Sequence, residues 1–392
     1  MNSGVMLDAR QLRSELPTRS LPDASLESWR KVDLRGLEIG AALEDENKSE
    51  LEIVIPAGLT VQQIRLDADK ARLDEPGLPE QLLADLHNAA DEYFDFLNQA
   101  WAAQVVLLLV SGQSADPLMV KHERRAGSLL AHRLLIVAGS DADFNLVEEY
   151  RDPMDDSVAA RALIVPHTRI YCQPGSRLDY VQRLELANGS WFFPRHHFYL
   201  ARSSQLKSTL VYTGGLRGKT LLQSDLEGEG AEYRGLGLWI GHRKNACDLE
   251  MQVRHHASHT QSSLLYKTVV DDKAHSVFYG NLDIDQGLLD VSSHQLNHNL
   301  VLSDLARAES MPNLMIQAEG VSCEHGATVG ALDPEALFFL MARGLDFQES
   351  RRLLIEAFIQ TLLAESQATD YMQDLQTEVL ASLAFQRKLQ AT

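Results

Sequence analysis

The chain has 392 residues, and 45% of them are hydrophobic, which is enough to build a sizeable core and excludes a disordered or collagen-like protein. It carries 36 lysines and arginines against 55 aspartates and glutamates, and the formal net charge at pH 7 is −19. Phosphate backbones and anionic membrane surfaces would repel such a chain, so neither nucleic acid nor a membrane is expected as a partner.

The cysteines and the N-terminal residues predict a cytoplasmic protein. Cys172, Cys247 and Cys323 are widely spaced and form no Cys-x-x-Cys pair, so neither a disulfide framework nor a zinc ribbon is encoded. The longest apolar stretch, residues 101–110, is about half the roughly 20 residues needed to cross a bilayer. Residues 1–30 carry charges where a signal peptide needs its apolar core, so export is not expected.

Three regions follow one another along the chain. Residues 1–104 contain helical periodicity, clearest where apolar side chains recur from Leu82 to Leu97. Residues 105–325 consist of short β-rich runs, among them 134–137, 206–213, 246–253, 264–270 and 274–281. Residues 326–392 return to helical patterns. The middle region predicts a sandwich, a barrel or a β-helix, and the lack of a fixed sequence repeat weakens the β-helix without excluding it.

The C-terminal region begins with clear helix signals. Asp333 followed by Pro334 and Glu335 predicts a capped helix start, and Gly344 predicts its end. A second helix carries an apolar stripe made of Leu354, Ile355, Phe358, Ile359, Leu362 and Leu363. Such a block either covers the β unit or docks a partner, and the sequence alone favours covering it.

Residues 213–220 nearly match a phosphate-binding P-loop, because they end in Gly218-Lys219-Thr220 after an apolar run. However, Thr213 occupies the position of the first glycine, and no amphipathic helix follows whose N-terminus could hold phosphate. We therefore predict a glycine turn between two strands.

Histidines are frequent late in the chain, and imidazole is a common metal ligand. No His-Glu-x-x-His or comparable spacing is present, so hydrogen bonding along strands explains most of them. Cys323 and His325 would share one face of an extended segment, as a transient iron or sulfur site would require. The alternative is a structural cysteine beside a hydrogen-bonded histidine. The eight late histidines are His242, His255, His256, His259, His275, His294, His298 and His325.

The segment that contains Cys323 and His325 carries a family resemblance. Residues 323–340, Cys-Glu-His-Gly-Ala-Thr-Val-Gly-Ala-Leu-Asp-Pro-Glu-Ala-Leu-Phe-Phe-Leu, closing with Ala342-Arg343-Gly344, resemble the C-terminal signature of the SufB/SufD family of iron–sulfur cluster assembly proteins. Residues 258–262, 277–280, 294–295 and 299–304 match further family segments in the same order. Residues 28–34, Ser-Trp-Arg-Lys-Val-Asp-Leu, resemble the entry motif of the SufD branch.

The resemblance implies a mainly β fold: a right-handed parallel β-helix flanked by N-terminal and C-terminal helical regions. It implies a non-catalytic scaffold subunit that pairs through its β-helix and docks SufC, an ABC-type ATPase, with its C-terminal helices. The pairing partner is a SufB-like paralogue, and a homodimer is the other arrangement. Where the SufB branch has a scaffold cysteine, this chain has Ser303, which places it in the SufD branch.

The resemblance also assigns candidate site residues. His325 matches the family histidine implicated in cluster assembly, so we expect His325 and Cys323 at the assembly interface and His325 as a transient metal ligand. No cofactor is expected to bind stably to this chain alone; an iron–sulfur cluster would be transient in the complex, and no flavin site is assigned. The expected partner-binding residues are Phe338, Phe339, Arg343, Gly344, Leu354 and Phe358.

The alternative is a β-helical enzyme, either a carbohydrate-active protein or a metal-dependent hydrolase that uses the histidine-rich strands. A glycosidase would need two carboxylates roughly 5 to 10 Å apart, and the sequence does not place such a pair.

Overall fold

The computed structural model describes residues 9–363 except 24, 27–28, 45–47, 67–77, 88–91, 103–104, 127–128 and 152–161, together with 371, 373–375 and 377–379. Within these residues the chain forms a parallel β-solenoid of about seven turns with helices toward both ends. The predicted β-helix is therefore confirmed. Part of the predicted C-terminal helical region, including residues 380–392, lies outside the described residues.

Two sheets form opposite walls of the solenoid, and β3 (Val105–Ala126) bends from sheet B into sheet A. Sheet A contains β1 (Lys48–Val54), β6 (Asp143–Arg151), β9 (Arg177–Leu186), β12 (Gln205–Gly214), β14 (Glu232–Gly241), β16 (Gln261–Val270), β18 (Ser292–Val301) and β20 (Ser322–Gly330). Sheet B contains β2 (Leu59–Leu66), β4 (Leu129–Leu130), β5 (Arg133–Ala138), β7 (Leu163–Ile164), β8 (His167–Cys172), β10 (Trp191–Phe192), β11 (Arg195–Leu200), β13 (Arg217–Leu226), β15 (Ala246–His255), β17 (His275–Ile284) and β19 (Arg307–Ile316). Four of the five predicted strand runs fall within these strands, and the fifth, residues 274–281, begins one residue before β17.

A backbone repeat underlies the solenoid. Each parallel strand of sheet A from β6 to β20 is preceded, two residues earlier, by a residue with positive φ. The chain thus makes the same tight turn at every level, and the first residues of successive sheet A strands lie in register. The positive-φ residues are Asp141, Gly175, Ser203, Gly230, His259, Asp290 and Gly320.

Alternation along the strands builds the interior. In β15, for example, Cys247, Leu249, Met251 and Val253 are buried and belong to one apolar cluster that fills the solenoid. Toward the C-terminal end, the inward positions of β18 become polar, with Ser293, Gln295, Asn297 and Asn299. The apolar filling therefore gives way to hydrogen-bonding groups before the last turn.

The N-terminal end of the solenoid is covered by two consecutive strands, β1 and β2, which both pair with β3. β2 pairs antiparallel with the first half of β3, and β1 pairs antiparallel with its second half. Gly58 and Gly112 make the crossing, since a Cβ on either would lie 2.3 Å from a backbone oxygen of the opposite strand, and both have positive φ. The sequence predicted a helix-containing N-terminal region and gave no signal for these two strands.

Four of the helices lie in the N-terminal region. They are α1 (Ala9–Glu15), which continues into a 3-10 turn at Leu16–Thr18, α2 (Ile39–Glu44), α3 (Glu80–His87) and α4 (Tyr93–Trp101). The described part of the apolar pattern predicted over residues 82–97 thus belongs to two helices, and its residues 88–91 lie outside the described residues. α4 packs on sheet B, where the Asn98 side-chain nitrogen donates to the carbonyl oxygens of His132 and Val165 at 2.9 and 2.6 Å.

Between the last strand and residue 363, the structure contains two helices. α5 (Pro334–Ala342) begins at Asp333, whose carboxylate accepts the Glu335 backbone N–H as predicted. α6 (Phe347–Leu363) lies on the outer face of sheet A and buries Ile355, Ile359 and Leu362 against it. The apolar stripe of α6 therefore covers the β unit, which is the arrangement that the sequence alone favoured.

Candidate functional site

The C-terminal end of the solenoid is open. Among the described residues, β19 is paired only with β17, and β20 is paired only with β18. The neighbouring surface is apolar, because Leu314, Met315, Ile316 and Val329 are all exposed. An open sheet edge beside exposed apolar side chains is a template for adding strands of another chain.

The two terminal strands offer different edges. Ser322 N donates to Val291 O of the preceding turn, so the backbone N–H and C=O groups of the even-numbered residues of β20 pair with β18. The backbone groups of the odd-numbered residues, which we call outward positions, point toward the free edge of the strand. Every outward residue of β20 has a backbone N–H. In β19 the outward positions are even-numbered, since Arg307 N donates to Ala274 O, and one of them is Pro312, which has no N–H. β20 is therefore the edge with the full set of donors.

Cys323 and His325 lie on β20, on the side that faces the interior. They are in register with the buried residues Ser293 and Gln295 of β18. Cys323 is half-buried against the solenoid core, and this burial raises the pKa of its thiol. His325 is exposed because no further turn covers its position. The structure thus brings a thiol and an imidazole to one side of the terminal strand.

A cavity of about 610 Å³ adjoins this end, between the turn after β18 and the last residues of β20. It is lined in part by Ser303, Asp304, Arg307, Glu309 and Val329. The Ser303 hydroxyl donates to the Asp272 carbonyl oxygen at 2.7 Å. Ser303, which marks the SufD branch in the sequence, therefore lies at the open end of the solenoid as well.

Helix α5 presents a second apolar surface. Phe338 and Phe339 are 73% and 55% exposed, and a cavity of about 860 Å³ lies beside them, lined also by Pro334 and Leu354. The Arg343 guanidinium lies 4.6 Å from the centre of the Phe339 ring. Gly344 has φ +98 and ends the helix as predicted. Four of the expected partner-binding residues are thus on or beside one exposed helix, and Leu354 lines the same cavity.

Phe358, the remaining expected partner-binding residue, lies elsewhere. It is half-buried on the sheet side of α6, and its ring centre is 4.6 Å from the Lys267 ammonium. That ammonium also donates to the Phe358 carbonyl oxygen at 2.8 Å. The Phe358 side chain therefore fastens α6 to sheet A instead of facing solvent with Phe338 and Phe339.

The other motifs have structural places. β12 ends at Gly214 and β13 begins at Arg217, so residues 213–220 contain the predicted turn between strands, and Lys219 and Thr220 are buried in β13. Among the late histidines, His255 is buried and hydrogen bonds with the hydroxyls of Thr260 and Ser262. In the part of the chain that is described, no three His, Cys, Asp or Glu side chains converge in a metal-binding arrangement.

Sequence reasoning missed a buried carboxylate inside the solenoid. Glu148 is fully buried, and its oxygens are hydrogen bonded to five side chains within 3.2 Å: His122, Tyr150, Thr168, Tyr180 and Gln182. Burial alone would raise the pKa of Glu148, but the bonds from His122, Tyr180 and Thr168 lower it to about 2. An isolated glutamate in a strand pattern gives no signal for such a network.

The architecture defines a class of protein: a β-solenoid with one covered end, one open end, and an exposed apolar helix beside the open end. The family model for the SufBD core domain of the SUF system of FeS cluster assembly matches residues 120–358. The chain belongs to this SufB/SufD family, in its SufD branch.

Individual relatives agree with this assignment. The chain is 27% identical to the iron–sulfur cluster assembly protein SufD of Escherichia coli over 96% of this chain and 91% of that protein. It is 28% identical to a SufBD family protein of Synechocystis over 68% of this chain and 57% of that protein. It is 29% identical to SufD of Plasmodium berghei over 50% of this chain and 15% of that protein. No helix among the described residues is long and apolar enough to cross a membrane.

Proposed function

We propose that this chain is a non-catalytic, cytoplasmic subunit of a SufBCD-type scaffold for iron–sulfur cluster assembly. Its open solenoid end pairs with a SufB-like paralogue or with a second copy, and its α5 surface docks a SufC-like ABC ATPase. The observation that carries the proposal is the asymmetry of the solenoid, in which β1 and β2 cover one end and the other end exposes a strand edge rich in backbone donors. Neither a nucleic acid nor a membrane is part of this proposal, since the net charge of −19 would repel both.

The cluster is cargo in this proposal. Cys323 and His325 share the inward side of the last strand at the open end, where a paired chain would supply the remaining ligands. Ser303 provides no thiolate, so the chain alone would hold no stable cluster, and His325 would ligate iron only in passing.

The ATPase surface is tested best by point substitutions. Deleting residues 346–392 would strip α6 from sheet A and expose the apolar face it covers, so loss of binding would be ambiguous. We expect the double variant Phe338→Ser, Phe339→Ser to weaken SufC binding at least tenfold, because two exposed aromatic side chains are typical anchors of an interface. Isothermal titration calorimetry with SufC measures the affinity.

The matched control is Leu289→Ser, which removes a 60% exposed leucine from a turn between β17 and β18. It should leave the SufC affinity within twofold of wild type. Both variants should keep the melting temperature, since the replaced side chains are exposed. Full SufC affinity in the folded double variant would contradict the docking surface.

His325 is tested by separating stability from assembly. Because its side chain is exposed on the last strand, His325→Ala should change the free energy of unfolding by less than about 0.5 kcal/mol. Cluster maturation by the complex should fall, since the imidazole ligand is lost. Thermal unfolding and maturation rate are measured on the same variant, with His294→Ala, another exposed histidine of the neighbouring strand, as the control. Normal maturation by the folded His325→Ala variant would rule out the assembly role.

A further inference from the structure

An N-terminal segment, residues 29–35, runs along the outside of sheet B; we call it the strap. Trp29 is buried; its ring stacks on Phe94 at a ring-centre distance of 5.4 Å and makes a tilted contact with Phe193 at 6.1 Å. Farther along, the Asp33 carboxylate forms an ion pair with Arg217 of β13, and the Asp33 carbonyl oxygen accepts from the same guanidinium at 3.1 Å. The strap is thus fixed to the body of the solenoid at two places.

Between these anchors the strap reaches the last turn. The Lys31 ammonium lies 2.8 Å from one carboxylate oxygen of Glu309, near the start of the terminal strand β19. The other carboxylate oxygen of Glu309 lies 2.9 Å from the His275 ring of β17. From β13 to β19 the strap therefore spans four neighbouring strands, a distance of about 14 Å at the usual spacing of roughly 4.8 Å between strands.

The strap covers a row of side chains, three of which are charged. Lys219, Asp248, Val277 and Glu309 are in register on the outer face of successive strands. The Lys219 side chain is fully buried, its ammonium lies 2.7 Å from Glu250, and the Trp29 and Tyr279 ring centres are each 5.4 Å away. Burying the charged ammonium would cost free energy if no carboxylate were paired with it and no aromatic rings surrounded it. Removing the strap would open the row to water.

β19, the last strand of sheet B, needs such an attachment more than the inner strands do. β19 pairs with a single neighbour among the described residues, and Pro312 interrupts its outer edge. Strands held on one side open more readily than central ones. Glu309 also lines the cavity at the open end, so movement of this part of β19 would reshape the surface proposed for pairing.

We propose that the strap is a brace that tethers β19 to the body of the solenoid and holds the open end in the shape required by a paired SufB/SufD chain. Lys31 is then a positioning residue that acts through Glu309. This inference rests on the proposed pairing function for its consequence, whereas the tether itself does not depend on pairing.

Amide hydrogen exchange of the full chain tests the tether. In Lys31→Glu, which sets two carboxylates against each other, exchange over residues 307–316 should be three- to tenfold faster than in wild type. Exchange over β13 and β15 should stay unchanged. Lys31→Arg retains the ion pair and should stay within twofold of wild type throughout. The control is Lys121→Glu, which disrupts an exposed pair with Glu52 at the covered end and should leave β19 unaffected.

Affinity for the SufB-like paralogue tests the consequence. The dissociation constant should rise three- to tenfold in Lys31→Glu and not in Lys31→Arg or Lys121→Glu. Unchanged exchange of β19 in Lys31→Glu would overturn the tether. Faster exchange with unchanged affinity would overturn its role in pairing. A wild-type chain that pairs with neither the paralogue nor itself would overturn the pairing function and that role together, while the exchange result would still decide the tether.

Discussion

Replacing Glu148 with glutamine should lower the free energy of unfolding at pH 7 by roughly 3 to 5 kcal/mol, the cost typical of breaking a buried ionic network. The glutamine amide would offer N–H donors to side chains that already donate, among them Tyr180 at 2.5 Å and Gln182 at 3.0 Å. At least one buried donor would then lack an acceptor. Urea unfolding followed by circular dichroism measures the difference.

The pH dependence gives a second measurement. The pKa of Glu148 is lowered from an ordinary value of 4.5 to about 2 in the folded chain, so the folded state binds fewer protons than the unfolded state between these values. The stabilisation is complete above pH 4.5 and is lost as the pH falls toward 2. It amounts to roughly 3 kcal/mol. We expect this part of the acid-induced loss of stability to disappear in Glu148→Gln.

Two further variants serve as controls for Glu148→Gln. Tyr150→Phe removes a single donor to Glu148, at 2.9 Å, and should cost about 1 to 2 kcal/mol while leaving a foldable chain. Glu232→Gln changes an exposed glutamate at the start of β14 and should stay within about 0.5 kcal/mol of wild type. If Glu148→Gln were as stable as Glu232→Gln, the network would have no role in stability.

The buried network around Glu148 could not be predicted from the sequence. Glu148 lies in a strand among alternating residues, and its donors come from strands whose sequence positions range from 122 to 182. Only the stacking of solenoid turns brings them together, so no local pattern indicates the site. By contrast, the Asp333 cap and the Gly344 helix end depend on residues within the helix termini, and the sequence predicted both.

The solenoid itself was predicted through family resemblance and not through a repeat. The repeat exists in the backbone, because a residue with positive φ precedes each parallel strand of sheet A from β6 onward. However, glycine, aspartate, serine and histidine all occupy this position, as at Gly230, Asp290, Ser203 and His259. Glycine adopts a positive φ freely, and polar residues such as aspartate and histidine adopt it at modest cost. The conformation therefore recurs without a recurring amino acid.

The docking surface remains a prediction, and the structure gives only the positions of its residues. Phe338 and Phe339 lie on a helix whose residues the family signature includes, and both are exposed as docking residues must be. Phe358 belongs to an apolar stripe, and a stripe does not indicate whether sheet A or another protein covers it. The contact between Lys31 and Glu309 joins residues 278 positions apart, and sequence spacing carries no information about it.

The strongest effect on pairing is expected from a proline on the outer edge of β20. Ala327 is an outward position, so Ala327→Pro removes one backbone donor from the open edge and leaves the hydrogen bonds between β20 and β18 in place. The proline ring also obstructs an approaching strand. Affinity for the SufB-like paralogue, or for a second copy, should fall at least tenfold in analytical ultracentrifugation, which corresponds to about 1.4 kcal/mol.

The neighbouring residue supplies the matched control, because strand alternation reverses the direction of the backbone groups. Thr328 pairs toward β18, and its carbonyl oxygen accepts from the Asn299 side chain at 3.1 Å. Thr328→Pro should therefore lower the melting temperature by breaking the ladder to β18, whereas Ala327→Pro should melt like wild type. A well-folded Ala327→Pro chain that still pairs with wild-type affinity would show that the partner does not add to this edge, and the open end would then need another role.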